Sequence, residues 1–351
     1  MKKLKILLGN NTLSFLGGSE TWTLTLAIEL KKMGHDVTCF SPSLGVISEK
    51  LIKEGIPCYS DLSNLEDINN FSIVLEEKVE HKYDVIIANH NHIVKYLRDQ
   101  FPKTPIISTI HGIIHKDADG NMAPEHPALD SGVNQFVAVS EEVRDLLKKE
   151  YNIEAIIVRN FFDLSKFNFR KANDTPKQFL INTNYMDKED PAIQTIKEVA
   201  KYYGAKVTAI GQEFSPTLDI SRALEDSDIV FGMGRSVLEG VAAGRLGIVH
   251  GRWGTGGVIC FDTYDALRYC NFSGRNSKGQ FYTKQQLIDV INNYYPHILG
   301  WGYEYIKSNH NVIKAAEEYV RMARELTGQL ILKPVEEVDT RRPFKLAKKD
   351  E

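Results

Sequence analysis

Three side chains in the segment SDIVFGMGRSVLEGVAAGRLGIVHG, residues 227–251, have the chemistry of an anion and hydroxyl site: Arg235, Ser236 and Glu239. They follow the turn Phe231-Gly232-Met233-Gly234, whose glycines free the backbone for close approach to a ligand. A helix that starts after this turn points its first N–H groups, and the positive end of its dipole, at whatever lies in front of it. Arg235 adds a full positive charge there. Glu239 is four residues on, hence on the same helix face. Two readings stay open at this point: an intrahelical ion pair, or a pair facing a ligand. In the second, Arg235 holds a phosphate and Glu239 accepts from two neighbouring hydroxyls.

Further candidates sit after other short apolar runs. HGRWGTGGVI reads as a loop after the strand LGIVHG and contributes Arg252, Gly256 and Gly257. INTNYMDKED contributes Lys188 after the strand FLINT. The opening strand runs into GNNTLSFLGGSETW, where Gly17 and Gly18 could expose helix N–H groups to a phosphate, or form a plain tight turn capped by Ser19. No Lys-Ser/Thr follows these glycines, and the GxGxxG spacing of dinucleotide binding is missing, which counts against a Walker loop and an NAD-linked oxidoreductase. His111 heads HGIIHKDADGNMAPEH. It reads as a hydrogen-bonding residue at a strand's carboxyl end, as part of a metal site with His115, Asp117 and Asp119, or as part of a solvated loop. A calcium loop would need a closing glutamate that this segment lacks. No metal and no tightly held cofactor is expected.

The elements that must position these residues follow from the apolar pattern. LKILLG, DVTCF, IPCYS, DVIIAN, PIISTI, QFVAVS and AIIVRN alternate with longer amphipathic stretches in the first half. FLINT, KVTAIG, DIVFG and LGIVHG do so in the second. This is the pattern of parallel sheets covered by helices, in an α/β chain of two Rossmann-like doubly wound domains facing across a cleft, with ligands at the strands' carboxyl ends. In SETWTLTLAIELKKMG, Trp22, Leu26, Leu30 and Met33 share one face and Gly34 ends the helix. The boundaries expected are an N-terminal acceptor domain over 1–165, a donor domain over 175–300, a closing helix over 301–328, broken near Ser308 to Asn311, and a mobile tail over 329–351. RKANDTPKQ forms the linker between the two domains.

The 351 residues carry a net charge of −3. Residues 1–163 hold 17 basic against 23 acidic side chains and the remainder 26 against 23, so the first half offers no basic groove and nucleic acid is disfavoured as a partner. No apolar run reaches membrane-spanning length, and the apolar run after MKKLK is too short for a signal peptide; a cytoplasmic protein with at most peripheral membrane association is expected. Cys39, Cys58, Cys260 and Cys270 lack CxxC pairing and read as buried free thiols.

Three segments together bring a family to mind: GGSETWTLTLAIELKKMGHDV, STIHG and AVSEEVRDLLKKEYNIEAIIVRNFFDLSKF, the last being the most specific. In them the chain resembles the family 4 glycosyltransferases, retaining enzymes of GT-B architecture, over about residues 4–260. The resemblance implies a nucleotide-sugar donor and transfer of its sugar to a saccharide, glycolipid or other acceptor, often in surface polysaccharide or glycoconjugate synthesis. It also implies Gly17 and Gly18 at the donor phosphates, His111 beside the transferred sugar, Glu239 on the ribose hydroxyls and donor contacts from the Arg252 segment. The family's paired glutamates stand eight positions apart; position 231, where the first should fall, is Phe231. The family's phosphate-gripping arginine and lysine are matched by Lys188 alone, with Arg235 as replacement. A nucleotide-sugar-binding protein without turnover, and a glycosyltransferase acting on nucleic acid, are the rival readings.

Overall fold

The computed structural model describes residues 2–61, 83–116, 122–124, 132–169, 173–184, 186–211, 213–215 and 220–329. All but the first residue of the expected tail and part of the linker lie outside them, as do Asp117 and Asp119.

Seven parallel strands build the first sheet: β1 (Lys5–Gly9), β2 (Asp36–Phe40), β3 (Cys58–Tyr59), β4 (Val85–Asn89), β5 (Ile106–Ile110), β8 (Gln135–Ala138) and β9 (Ala155–Ile157). Their order, β3-β2-β1-β4-β5-β8-β9, reverses direction between β1 and β4. The strands are short runs of Ile, Val and Leu because both faces are covered; every residue of β4 and β5 is buried. The covering helices are α1 (Gly18–Lys32), α2 (Val46–Lys53), α3 (Asn91–Gln100) and α4 (Glu141–Tyr151). Trp22, Leu26 and Leu30 of α1 are fully buried, and Gly34, with φ +90, ends that helix. IPCYS shrinks to the two residues of β3 at the sheet edge.

The polar segment after His111 is not all loop. It contains β6 (Ile113–Lys116) and β7 (Met122–Pro124), paired antiparallel as a small hairpin.

The second sheet holds β10 (Gln178–Asn182), β11 (Lys206–Ile210), β12 (Ile229–Gly232), β13 (Leu246–Gly251) and β14 (Gly254–Val258) in the order β11-β10-β12-β13-β14. Its direction reverses between β10 and β12. The glycine segment read as a loop is thus mostly β14, paired antiparallel with β13. Helices α5 (Pro191–Tyr203), α6 (Ser221–Glu225), α7 (Arg235–Ala242), α8 (Tyr264–Tyr269) and α9 (Lys284–Tyr294) complete this half.

The closing pattern is two helices, α10 (Leu299–Asn309) and α11 (Val312–Leu326), with Asn311 capping the second by accepting from Ile313 N at 2.9 Å. α10 lies on the second sheet's side, where Gly302 allows close approach to Val241 of α7. α11 crosses to the first sheet and joins the core that contains Trp22 and Phe161. Tyr319 hydroxyl and Thr109 Oγ1 share a buried hydrogen bond of 2.9 Å there, and the Tyr319 ring stands edge-on to Trp22. At the crossing point His310 is buried, held by Asn160 O at 2.6 Å and Tyr264 hydroxyl at 3.2 Å, and burial lowers its pKa to about 4. The four cysteines are free thiols, all but Cys58 buried.

Candidate functional site

Both sheets reverse strand order at one place, and in open α/β sheets the crevice at such a point is where ligands bind. In the second sheet, the carboxyl end of β12 lies at this reversal. Only Met233 and Gly234 separate β12 from α7. Gly234 has φ +56 and ψ −128, a conformation open to glycine alone, and it caps α7 without any side-chain hydrogen bond. The first amides of α7 therefore keep their donors for a ligand.

Arg235 opens α7, and its Nη2 donates to Glu239 Oε1 at 3.2 Å, with side-chain exposures of 14% and 15%. The ion pair read from the spacing is formed. It leaves Arg235 Nη1 buried with no acceptor among the described residues. Burial pushes the Glu239 carboxyl above the usual glutamate range, while Arg235, and more weakly Lys166, pull it back. Ser236 follows, its Cβ facing Gly232, where a side chain would collide with Asn182 O.

The other expected donor residues are placed differently. Arg252 is exposed at the tip of the β13–β14 hairpin, its guanidinium 4.7 Å from the Trp253 ring centre. That hairpin touches the α7 turn through Gly251, where a Cβ would meet Met233 Sδ at 2.5 Å. Gly256 and Gly257 lie within β14 and not on a ligand loop. A side chain on Gly256 would run into Asn276, Leu267 and Val249, and Gly257 (φ +117) faces Tyr282. Glycine serves packing at Gly256 and the backbone conformation at Gly257. Lys188 is exposed in the turn after β10. Phe231 is 1% exposed inside β12, between Phe179 and His250, so position 231 belongs to the core and faces no crevice.

In the first sheet the reversal lies between the ends of β1 and β4. α1 starts at Gly18 with Gly17 as N-cap, and Ser19 is no cap: its hydroxyl donates to Glu20 Oε1 at 3.0 Å. Glu20, 4% exposed, folds back so that a Cβ on Gly17 would sit 2.0 Å from its Oε2. Gly18 faces open space. The helix terminus expected to meet a phosphate therefore already carries a carboxylate, whose pKa burial raises and the nearby His90 counters.

His111 follows β5, its ring edge-on to Trp22 at 5.1 Å and near-parallel to His90 at 6.5 Å. His90 has φ +65, a strained conformation for a non-glycine residue at the end of β4, and His92 shares a 2.8 Å hydrogen bond with Asn11. Glu20 and His90 escaped sequence reading. The one available signal was NHNH, a polar run at a strand's carboxyl end.

Residues 16–166 match the family model described as Glycosyltransferase Family 4. None of the curated proteins matches the chain significantly. Among solved structures, a glycosyltransferase from Rickettsia africae superposes with TM-score 0.61 at 14% identity, over 93% of this chain and 99% of that one. Anabaena HepE in complex with UDP and glucose gives TM-score 0.61 at 12% identity, over 92% and 100%. A UDP-N-acetylglucosamine 2-epimerase gives TM-score 0.55 at 12% identity, over 95% and 99%, so this architecture is shared by more than one chemistry. Among the described residues no helix is long and apolar enough to cross a membrane. The chain therefore has a GT-B fold of two Rossmann-like domains, and its residues 16–166 are similar to glycosyltransferase family 4.

Proposed function

We propose that the chain transfers a sugar from a nucleoside-diphosphate donor, bound at the β12–α7 turn, to an acceptor in front of the first sheet. The observation that carries this reading is the buried Arg235 Nη1, without a partner among the described residues, beside an uncapped helix terminus and one turn from Glu239. A diphosphate would accept from Arg235 and the first amides of α7. The ribose hydroxyls would donate to Glu239. As the glycosidic bond breaks, negative charge grows on the diphosphate, and preorganised donors at that point lower the barrier. Glu20 over Gly17 disfavours a phosphate at α1 and makes the α7 turn the better seat.

His111, within the Trp22 and His90 cluster, would lie beside the transferred sugar, and retention of configuration follows from the family resemblance. The reading assigns charge neutralisation to Arg235, with Lys188 and Arg252 on adjoining turns, and calls for no metal. The acceptor is proposed to be a saccharide or glycoconjugate. UDP is the first nucleotide to try, because Anabaena HepE binds UDP and glucose.

The test is thermal stabilisation by UDP, GDP, ADP and their sugars, followed by nucleotide release with and without candidate acceptors. Stabilisation and acceptor-dependent release support the reading. Stabilisation with no release under any acceptor supports a nucleotide-sugar-binding protein, and no stabilisation by any nucleotide overturns both.

A further inference from the structure

The segment Cys270–Ser277, sequence CNFSGRNS, touches both the cap of α7 and the β13–β14 hairpin of the proposed donor site and also reaches the other domain. Phe272 O accepts from Gly234 N at 2.8 Å, the N-cap of α7. Asn276 Nδ2 donates to Gly256 O and Ser277 Oγ to Trp253 O, both at 2.9 Å, on the hairpin that carries Arg252. Across the domain boundary, Asn160 Nδ2 donates to Asn271 Oδ1 at 3.0 Å. Arg275 Nε lies 3.1 and 3.0 Å from the two carboxylate oxygens of Glu142, and its Nη2 makes a further short contact to Oε2.

From this arrangement we infer that Arg275 and Glu142 form an interdomain latch, and that Arg275 is a positioning residue that sets the donor turn through the Asn271–Gly274 backbone. The inference rests on the donor reading above for its consequence, but not for its geometry.

The pair is not an ordinary surface ion pair. The two side chains are only 16% and 18% exposed, and two nitrogens of the guanidinium engage one carboxylate, a directional arrangement that a lone lysine could not reproduce. Glu142 sits in the first turn of α4, where its charge also suits the helix dipole. Its neighbour Glu141 takes Arg268 of α8 at 3.3 Å, and Arg159 as well. Two carboxylates of the first domain thus hold two arginines of the second.

The tethered segment is under backbone strain. Asn271 and Phe272 are consecutive non-glycine residues with φ +56 and +52, followed by Gly274 at +86. Phenylalanine rarely adopts this region, and it persists where surrounding contacts over-determine it. Phe272 is 1% exposed, packed against Tyr264 and His310, and its carbonyl is the acceptor that orients Gly234. Cutting the Arg275 tether removes one of the contacts holding this conformation. Gly234 and Arg235 then lose a fixed orientation, and nucleotide affinity falls by the fraction of molecules still correctly set.

The full chain tests this with Arg275→Ala, Glu142→Ala, the conservative Arg275→Lys and the exchanged pair Glu142→Arg with Arg275→Glu. Affinity for UDP, GDP and ADP is measured by calorimetry, and the radius of gyration without ligand by small-angle scattering. Each alanine variant is expected to weaken nucleotide binding on the order of tenfold and to expand the ligand-free chain, Arg275→Lys to fall between, and the exchanged pair to recover part of both. Glu239→Ala should lose affinity without expansion. Alanine variants with wild-type dimensions overturn the latch whether or not any nucleotide binds. Expansion with unchanged affinity overturns the positioning role. If the wild-type chain binds none of the three nucleotides, the donor reading fails, and the scattering alone decides the latch. Should an alanine variant not fold, Arg275→Lys and the exchanged pair carry the same comparison.

Discussion

Arg235 reaches Glu239 with one guanidinium nitrogen, Nη2, and holds the other, Nη1, buried without an acceptor among the described residues. An ion pair present only to stabilise α7 would leave its spare nitrogen in water. A buried donor without a partner costs about 1–3 kcal/mol, and a phosphate bound at this turn would supply the missing acceptor. The same carboxylate is then free to turn one oxygen toward a hydroxyl.

Glu239→Ala should weaken nucleotide binding by about 1.5–3 kcal/mol, the range for hydrogen bonds to a charged group. Calorimetry on the folded variant decides it. Wild-type affinity would take Glu239 out of the site.

The pH dependence of this carboxyl has a definite sign. Burial raises its pKa in the folded chain, so the native state keeps the proton to higher pH than the unfolded one. Its contribution to stability is fully present below the unfolded value and is lost as pH rises through the folded value. Ribose recognition needs the carboxylate, so binding should strengthen over the same interval in which stability declines. Arg235→Ala removes the cation that favours ionisation and should move the binding transition to higher pH. Titrating nucleotide affinity against pH in both proteins checks this, and an unmoved midpoint would sever the link between the two side chains.

Gly234 and Gly18, one from each turn, should respond oppositely to alanine. Gly234→Ala forces a side chain into φ +56, ψ −128 and should cost about 1–3 kcal/mol of stability. Gly18→Ala meets no atom within 4 Å at the first position of α1 and should be neutral or slightly stabilising. Gly17→Ala should displace Glu20, whose Oε2 lies 2.0 Å from the new Cβ. Chemical denaturation of the three variants gives the order directly; a Gly234→Ala protein as stable as Gly18→Ala would contradict the turn described here.

Ending the chain after His310 removes α11 and uncovers Trp22, Phe161 and Thr109 of the first domain. The truncated protein should fail to fold cooperatively, read by loss of its thermal transition. Tyr319→Phe, which loses only the hydroxyl bond to Thr109, should cost about 1 kcal/mol.

Most of the architecture was legible in the chain because parallel strands covered on both faces are uninterrupted apolar runs. VIIAN, IISTI and DIVFG carry that signal, as do the face of Trp22, Leu26 and Leu30 and the break before Asn311. Glu239 could be singled out because a carboxylate in a small apolar helix needs a reason. β14 could not, since GTGGV has almost no side-chain pattern and is a strand only because β13 pairs with it. Ser19 had the residue type of a cap, yet its hydroxyl serves Glu20, whose return over Gly17 no propensity encodes.

The chain by itself determined its parallel strands, most of its helix ends and which residues could carry charge to a crevice, because those depend on local pattern. Which of them meet was decided only by tertiary structure. Phe231 went to the core, Arg235 kept an unspent donor, and Arg275 found Glu142 from 133 positions away. Contacts over such separations are set by the packing of two sheets and a returning helix, and no window of sequence contains both partners.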